Sequence, residues 1–343
     1  MIEPMSALPG HQPVAVATRG SHVENVHWGS AAVVNAQGEL IASFGDIIAP
    51  VFPRSSIKPF QALPFVAAGG LQRFGWSVRE TALLCASHSA EAEHLAVVEH
   101  MLASSGHSVA ELGCGAHVPG HYAALNETPP AHVEWTALHN NCSGKHAGFL
   151  ACCGLHGWSL ADYLDPAHAL QQAIRDALGE LAGIDVGNLP RGIDGCSAPI
   201  YALPLRNLAL AYARLAGGAQ DTRWHSAAEP LRDAMRAQPQ LISGHGRFDL
   251  ALTRQGGGDW IVKGGADGVQ TLASVSRGIG IAIKLADGNV RALNAVVIAV
   301  LRQLGWIDGP LSADVAAHDA PLIRNWRGTA TGQVNTCLQL ILG

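Results

Sequence analysis

Two stretches rich in Val, Ile and Ala open the chain, PVAVATRG (13–20) and SAAVVNAQGELIASFG (30–45), and both predict strands. The second reads as a hairpin that turns at NAQGE, where Asn and Gly supply the turn geometry. From Ser56 the pattern becomes helical. SIKPFQALPFVAAGG ends in a glycine pair, and SVRETALLCAS opens with Ser77 and carries Glu80 three residues on, the signature of a capping box. EAEHLAVVEHMLASSG repeats apolar residues at helical spacing. DPAHALQQAIRDALGELAG predicts a helix with Asp165 as N-cap and Pro166 at its first position, and PLRNLALAYARLAGG predicts another closed by glycines. After Gly246 strands return in DWIVKGG (259–265), GVQTLASVSRG (268–278) and GIGIAIKLADG (278–288), and NVRALNAVVIAVLRQLGW predicts a closing helix.

Strands at both ends therefore enclose a helical middle. The economical fold is α/β of the α+β kind: a mainly antiparallel sheet built from both chain ends, flanked by helices, with a helical insertion as a second lobe. The expected division is residues 1–55 with 245–343 for the sheet-and-helix lobe and 56–244 for the helical lobe, with the site in the cleft between them.

Composition narrows the function. The 343 residues are 48% hydrophobic and 14% charged, a globular balance with ample material for a core. A net charge of −5 and a pI near 6.4 give no footprint of a nucleic-acid or membrane-surface partner. MIEPMSALPGHQP lacks the basic and apolar regions of a secretory signal, and ALNAVVIAVLRQLGW is too short and interrupted to span a bilayer. Seven irregularly spaced cysteines argue against a disulfide framework, so a cytoplasmic protein is expected.

Lysine is scarce. Only Lys58, Lys145, Lys263 and Lys284 stand among 22 basic residues. In a chain rich in Ala, Gly and Arg, Lys is retained where Arg fails, because a guanidinium cannot lose its proton at ordinary pH. Drift alone also leaves a few lysines, so the motif around each one decides. In RSSIKP, Ser55 and Lys58 share one face of a helical turn, the spacing of a nucleophile and its amine base, although the adjacent Ser56 competes for the role. In VKGGADG, Lys263 lies on a strand beside glycines that admit close approach. In HNNCSGKHAGF, Cys142 and Lys145 repeat the three-residue spacing, and GIDGCSAPIY places Asp194 two residues from Cys196. These residues have the donor types of a zinc site, but isolated cysteines are more often small buried hydrophobes. CASHSAEAEHL is a polar knot between helices: caps and a turn account for much of it, while a functional reading puts Ser87 in the cleft as a proton relay to a lysine.

A Ser-x-x-Lys, a second serine and a late Lys-Gly strand loosely follow the order of motifs in class A β-lactamases and penicillin-binding proteins, without the Ser-Asp-Asn element and with Gly for Thr in the last motif. PRSSIKPFQ, CASHSAE, NNCSGKHAGFL, GIDGCSAPIYALPL, GHGRFD and VKGGADGV, taken in order over about residues 13–306, resemble the L-asparaginase II family of the rhizobial type. That resemblance implies a serine β-lactamase and glutaminase-like fold, hydrolysis of L-asparagine to L-aspartate and ammonia, and a homodimer. It also implies roles by position. Ser55 is the nucleophile with Lys58 as base, and Ser87 with Lys263 forms a second Ser–Lys pair. Cys142, Lys145 and Cys196 hold zinc with Asp194 beside it. Arg54, Asp194, Arg247 and Asp249 are candidates to hold the substrate. Two other classes stay open at this level: a β-lactamase-like or penicillin-binding hydrolase, and a non-catalytic amino-acid or zinc binder.

Overall fold

The computed structural model describes residues 8–343; residues 1–7, and with them half of the stretch read as free of a signal, lie outside it. The strands in chain order are β1 (Gln12–Arg19), β2 (His22–Asn35), β3 (Leu40–Phe44), β4 (Pro50–Val51), β5 (Arg191–Ile193), β6 (Pro199–Tyr201) and β7 (Leu203–Pro204). Then come β8 (Trp260–Gly265), β9 (Val269–Ser274), β10 (Ile279–Leu285), β11 (Leu322–Arg324), β12 (Ala330–Thr336) and β13 (Ile341–Leu342). The main sheet runs β11-β12-β1-β2-β10-β9-β8, with β3 bridging β2 and β13. Its pairs are antiparallel, and β2 at its centre joins the two ends of the chain through β10. The hairpin at NAQGE forms as expected, with Val34 opposite Leu40.

The helices are α1 (Lys58–Ala67), α2 (Gly70–Phe74), α3 (Val78–Cys85), α4 (Ala92–Ser105), α5 (Gly120–Ala124), α6 (Ser143–His156) and α7 (Ala169–Ala182). They continue as α8 (Leu205–Ala213), α9 (His225–Ala237), α10 (Pro239–Ile242), α11 (Phe248–Gln255), α12 (Val290–Gln303) and α13 (Ala313–Ala316). The pleat sorts them onto two faces. Ala32 and Val34 of β2 belong to one core cluster with the helices of the middle segment, while Ala31 and Val33 belong to another with α11, α12 and α13. Strands buried on both sides read as continuous apolar runs, which is why SAAVV shows no alternation. On β10, Gly280 lets α8 lie flat on the sheet: a Cβ there would come within 2.1 Å of the Ala209 carbonyl oxygen. Among the described residues no helix is long and apolar enough to cross a membrane.

Two expectations are corrected. Asp165 caps no helix; its carboxylate accepts from the Ala167 N–H in a turn, and α7 starts later, at Ala169, with the His168 ring accepting from the Leu170 N–H. The helix read as closing the chain, α12, does not close it. Beyond it β12 pairs with β1 and β13 with β3, the first a largely polar strand and the second only two residues long, so neither carries an apolar period.

Candidate active site

Lys58 and Pro59 open α1, where a missing N–H costs nothing because first-turn donors have no helical partner. The Lys58 side chain runs inward and is 1% exposed. Its amine reaches the Ala86 carbonyl at 2.5 Å, Ser87 Oγ at 2.9 Å and the Asn141 carbonyl at 3.2 Å. Ala86 is the C-cap of α3, so its carbonyl is one of the unpaired acceptors of a helix end, where a cation is stabilised. Three acceptors match the three N–H bonds of an ammonium.

Ser87 follows immediately, fixed by its N–H to the Ile242 carbonyl at 2.8 Å. On its other side stands Lys263. Two residues after Ile261 on β8, it shares that residue's face of the sheet and points into the helical layer. Lys263 Nζ lies 2.8 Å from Ser87 Oγ and 2.7 Å from the Gly264 carbonyl, with no exposure. Burial first, and then the charge of Lys58, push the Lys263 amine down to about 7. A neutral amine accepts. In that form Lys263 can take the Ser87 O–H while Lys58 donates to the same Oγ; protonated, Lys263 donates to Ser87 Oγ as Lys58 does.

The structure resolves the two adjacent serines of RSSIKP. Ser56 is buried and its hydroxyl donates to the Pro53 carbonyl at 2.7 Å, which ties it down. Ser55 is half-buried and makes no side-chain hydrogen bond among the described residues. The Ser55–Lys58 contact expected from their spacing is replaced by Lys58 to Ser87, because the backbone acceptors that hold the amine lie deeper, at the ends of α3 and before α6.

A second buried lysine organises a thiol centre. Cys142 is the N-cap of α6, Lys145 lies one turn on, and Cys196 sits in the turn between β5 and β6. All three are at most 3% exposed. Lys145 Nζ donates to Cys196 Sγ at 3.0 Å. The hydrogen bond from Cys196 holds Cys142 well below its ordinary pKa against the opposing effect of burial, and the charges of Lys58 and Lys145 add to it. The same bond raises Cys196. Burial disfavours a charged Lys145, but the two sulfurs outweigh it and its pKa rises. Sequence reasoning missed the neighbours of this centre. Tyr163 OH accepts from the Gly113 N–H at 2.7 Å and lies 2.8 Å from His146 Nδ1. His146 Nε2, on the other side of the ring, is a buried atom without a hydrogen-bond partner among the described residues. Their only sequence trace is that His146 directly follows Lys145.

The remaining candidates lie around these two centres. Arg54, beside Ser55, has φ +53°, a left-handed conformation that costs a bulky residue on the order of 1–2 kcal/mol. Its Nε donates to Asp194 at 2.8 Å and its Nη1 pairs with Asp267. Burial tends to raise the Asp194 pKa, but the Arg54 and Gly195 hydrogen bonds outweigh it and hold the group below its ordinary value. Asp249 braces the end of β8, accepting from the Gly264 N–H at 2.7 Å and Gln270 Nε2 at 3.2 Å. Arg247 is exposed, near enough for its charge to help lower Lys263. The close approach that the glycines permit is the protein's own: a Cβ on Gly265 would stand 2.5 Å from the Pro53 carbonyl oxygen.

The sequence model of L-asparaginase II matches residues 15–336, nearly the whole chain and all the residues just described. The chain belongs to the L-asparaginase II family. It is an amidohydrolase-type enzyme on that ground. A search of the curated proteins found no match. Among solved structures, a β-lactamase from Mycobacterium bovis is similar at 16% identity and a TM-score of 0.43, over 80% of this chain and 94% of that one.

Proposed function

We propose that this family member hydrolyses L-asparagine to L-aspartate and ammonia through an acyl-enzyme formed by a serine and two coupled lysines. The observation that carries the reading is Ser87 between two buried amines, one ordinarily placed for a cation and the other pushed down to about 7. A binding protein has no need of a neutral buried amine, whereas an enzyme that must deprotonate a hydroxyl does.

The proton path follows from the donors. Lys58 passes a proton to Ser87 as Ser87 passes its own to Lys263. Lys58 is then neutral and free to take the proton of Ser55 once the two, which do not touch in this structure, come together as that hydroxyl attacks the side-chain amide carbon. The tetrahedral oxyanion needs N–H donors, and the backbone at the start of α1 is suited to supply them. Collapse expels ammonia with a proton returned from the lysine pair, and water cleaves the ester by the reverse steps. A second reading has Ser87 itself attack, and it is favoured by one fact: Ser87, and not Ser55, touches both amines.

Zinc belongs to the proposal as well. Two adjoining buried thiols, an amine 3.0 Å from one of them and an unpartnered His146 Nε2 form a donor set that suits this metal. Among the described residues no three His, Cys, Asp or Glu side chains converge on one point, and on this reading Cys142, Cys196 and the Lys145 amine would hold it. Bound there, zinc supplies a Lewis-acid charge that can orient or polarise the amide. In its absence the Lys145 ammonium balances the thiolate. The protein acts in the cytoplasm as a homodimer on this reading, and the seven unpaired cysteines suit a reducing compartment.

The test is ammonia release from L-asparagine and L-glutamine at pH 7 and 9 by wild type, Ser55→Ala and Ser87→Ala, with the acylated residue located by mass spectrometry. Release from asparagine that is lost in Ser55→Ala, with the acyl group on Ser55, supports the first path. An acyl group on Ser87 selects the second. No release from either amide, with zinc supplied, sinks the reading.

A further inference from the structure

Arg54, next to Ser55 in the chain, lines a cleft. Phe52, Ile193 and Ile200 form the apolar wall of that cleft, and Arg54, Asp267 and Lys284 are its charged side chains. Three features single out Asp267. It sits in the three-residue turn between β8 and β9, two residues after the Gly265 that presses against Pro53, and its own φ is +55°. Its carboxylate is 71% exposed and, among the described residues, pairs with Arg54 alone, whereas Asp194, the other partner of Arg54, is 11% exposed and also receives the Gly195 N–H. Its carbonyl accepts from Lys284 Nζ at 2.7 Å, so the fourth lysine of the chain props the turn that carries it.

The guanidinium is thus clamped by one carboxylate that is fixed and one that is free to leave. An incoming α-amino acid brings both charges needed for an exchange. Its carboxylate replaces Asp267 on Arg54, one charge-assisted pair for another, and the released Asp267 turns to the α-ammonium. The buried Asp194 keeps Arg54 in place throughout. No net charge is created, so the exchange carries little desolvation cost, whereas a ligand lacking the ammonium leaves the displaced Asp267 carboxylate without a partner.

We propose that Asp267 is the specificity residue for the free α-ammonium of the substrate, and that with Arg54 it restricts this enzyme to unblocked α-amino acid amides. This rests on the amidohydrolase reading above. The experiment measures kcat and KM for L-asparagine and for its N-acetyl derivative with wild type, Asp267→Asn and Asp267→Glu. Wild type is expected to prefer the free amino acid by about a hundredfold. Asp267→Asn should raise KM for L-asparagine about ten- to a hundredfold with kcat little changed, leave the acetylated substrate unaffected, and so collapse the preference, while Asp267→Glu restores part of it. Equal losses on both substrates would make Asp267 a structural brace and overturn the proposal, as would no change on either. If wild type releases no ammonia, the functional reading has failed and not this one. Titration calorimetry with L-aspartate and N-acetyl-L-aspartate then decides it: tighter binding of the free amino acid, abolished by Asp267→Asn, supports the exchange, and equal or absent binding overturns it.

Discussion

Lys263 and Lys145 are the same residue at nearly the same burial, 0% and 2% exposed, yet their amines are driven in opposite directions. Lys263 falls to about 7 and Lys145 rises. Burial disfavours the ammonium in both. The neighbours decide the outcome. Lys263 faces the Lys58 amine across a serine that can carry a proton; Lys145 faces two sulfurs, one of which, Cys142, is held well below its ordinary pKa. A buried lysine is therefore not a chemical role in itself. Beside a cation its amine is pushed toward the neutral form, and beside these sulfurs it is held as an ammonium.

The strongest way to break this comparison is Lys263→Arg. The guanidinium keeps the positive charge and loses the ability to accept a proton. If Lys263 is the base at the end of the serine relay, kcat on L-asparagine falls by about 10³–10⁴ with KM little changed. Retention of a tenth of the activity would show that neutrality at this position is not needed. The thiol centre should respond differently. Lys145→Met leaves a buried thiolate without its cation, so metal-free protein should lose about 3–5 kcal/mol of stability in urea unfolding. The same variant should bind zinc at least about tenfold more weakly in chelator competition. An unchanged urea midpoint would mean that the sulfurs are both protonated and need no counterion.

The sequence pointed to this arrangement unevenly, for physical reasons. The scarcity of lysine marked four residues, and the structure buries Lys58, Lys145 and Lys263 but leaves Lys284 half-buried. The capping box of Ser77 and Glu80 and the strand of Lys263 were legible because each rests on local spacing. The pairing of Lys58 was not, because i, i+3 spacing says which residues share a helical face but not which carbonyls wait beyond it. Ser87 lies 29 positions from Lys58 and 176 from Lys263, contacts that only the folded topology creates. Asp249 and Asp267 show the same limit. Both stand in motifs that were singled out or beside them, but one braces a strand end and the other faces open cleft, a difference of direction that no motif encodes. The strands β11 to β13 escaped detection because β11 and β13 are only three and two residues long and β12 is largely polar, too little in each to show a hydrophobic period.

The smallest expected effect gives the sharpest reading of the comparison. Activity that depends on a neutral Lys263 rises with pH, about tenfold per unit well below 7, and levels off above it, since the amine must lose its proton to accept one from Ser87. The nearby charge of Arg247 contributes to holding Lys263 low, after burial and Lys58. Arg247→Ala removes that contribution, so the amine should hold its proton more tightly and the acid limb of kcat should move to higher pH. The move is a few tenths of a unit, because Arg247 is exposed and its charge is screened by solvent. Raising the salt should shift wild type in the same direction and leave the variant nearly still. If instead Arg247 grips the substrate, KM rises severalfold at every pH and the limb of kcat stays where it was. The two outcomes separate an electrostatic neighbour of the base from a contact to the ligand, in one set of pH profiles, while the raised Lys145 should leave no trace in either.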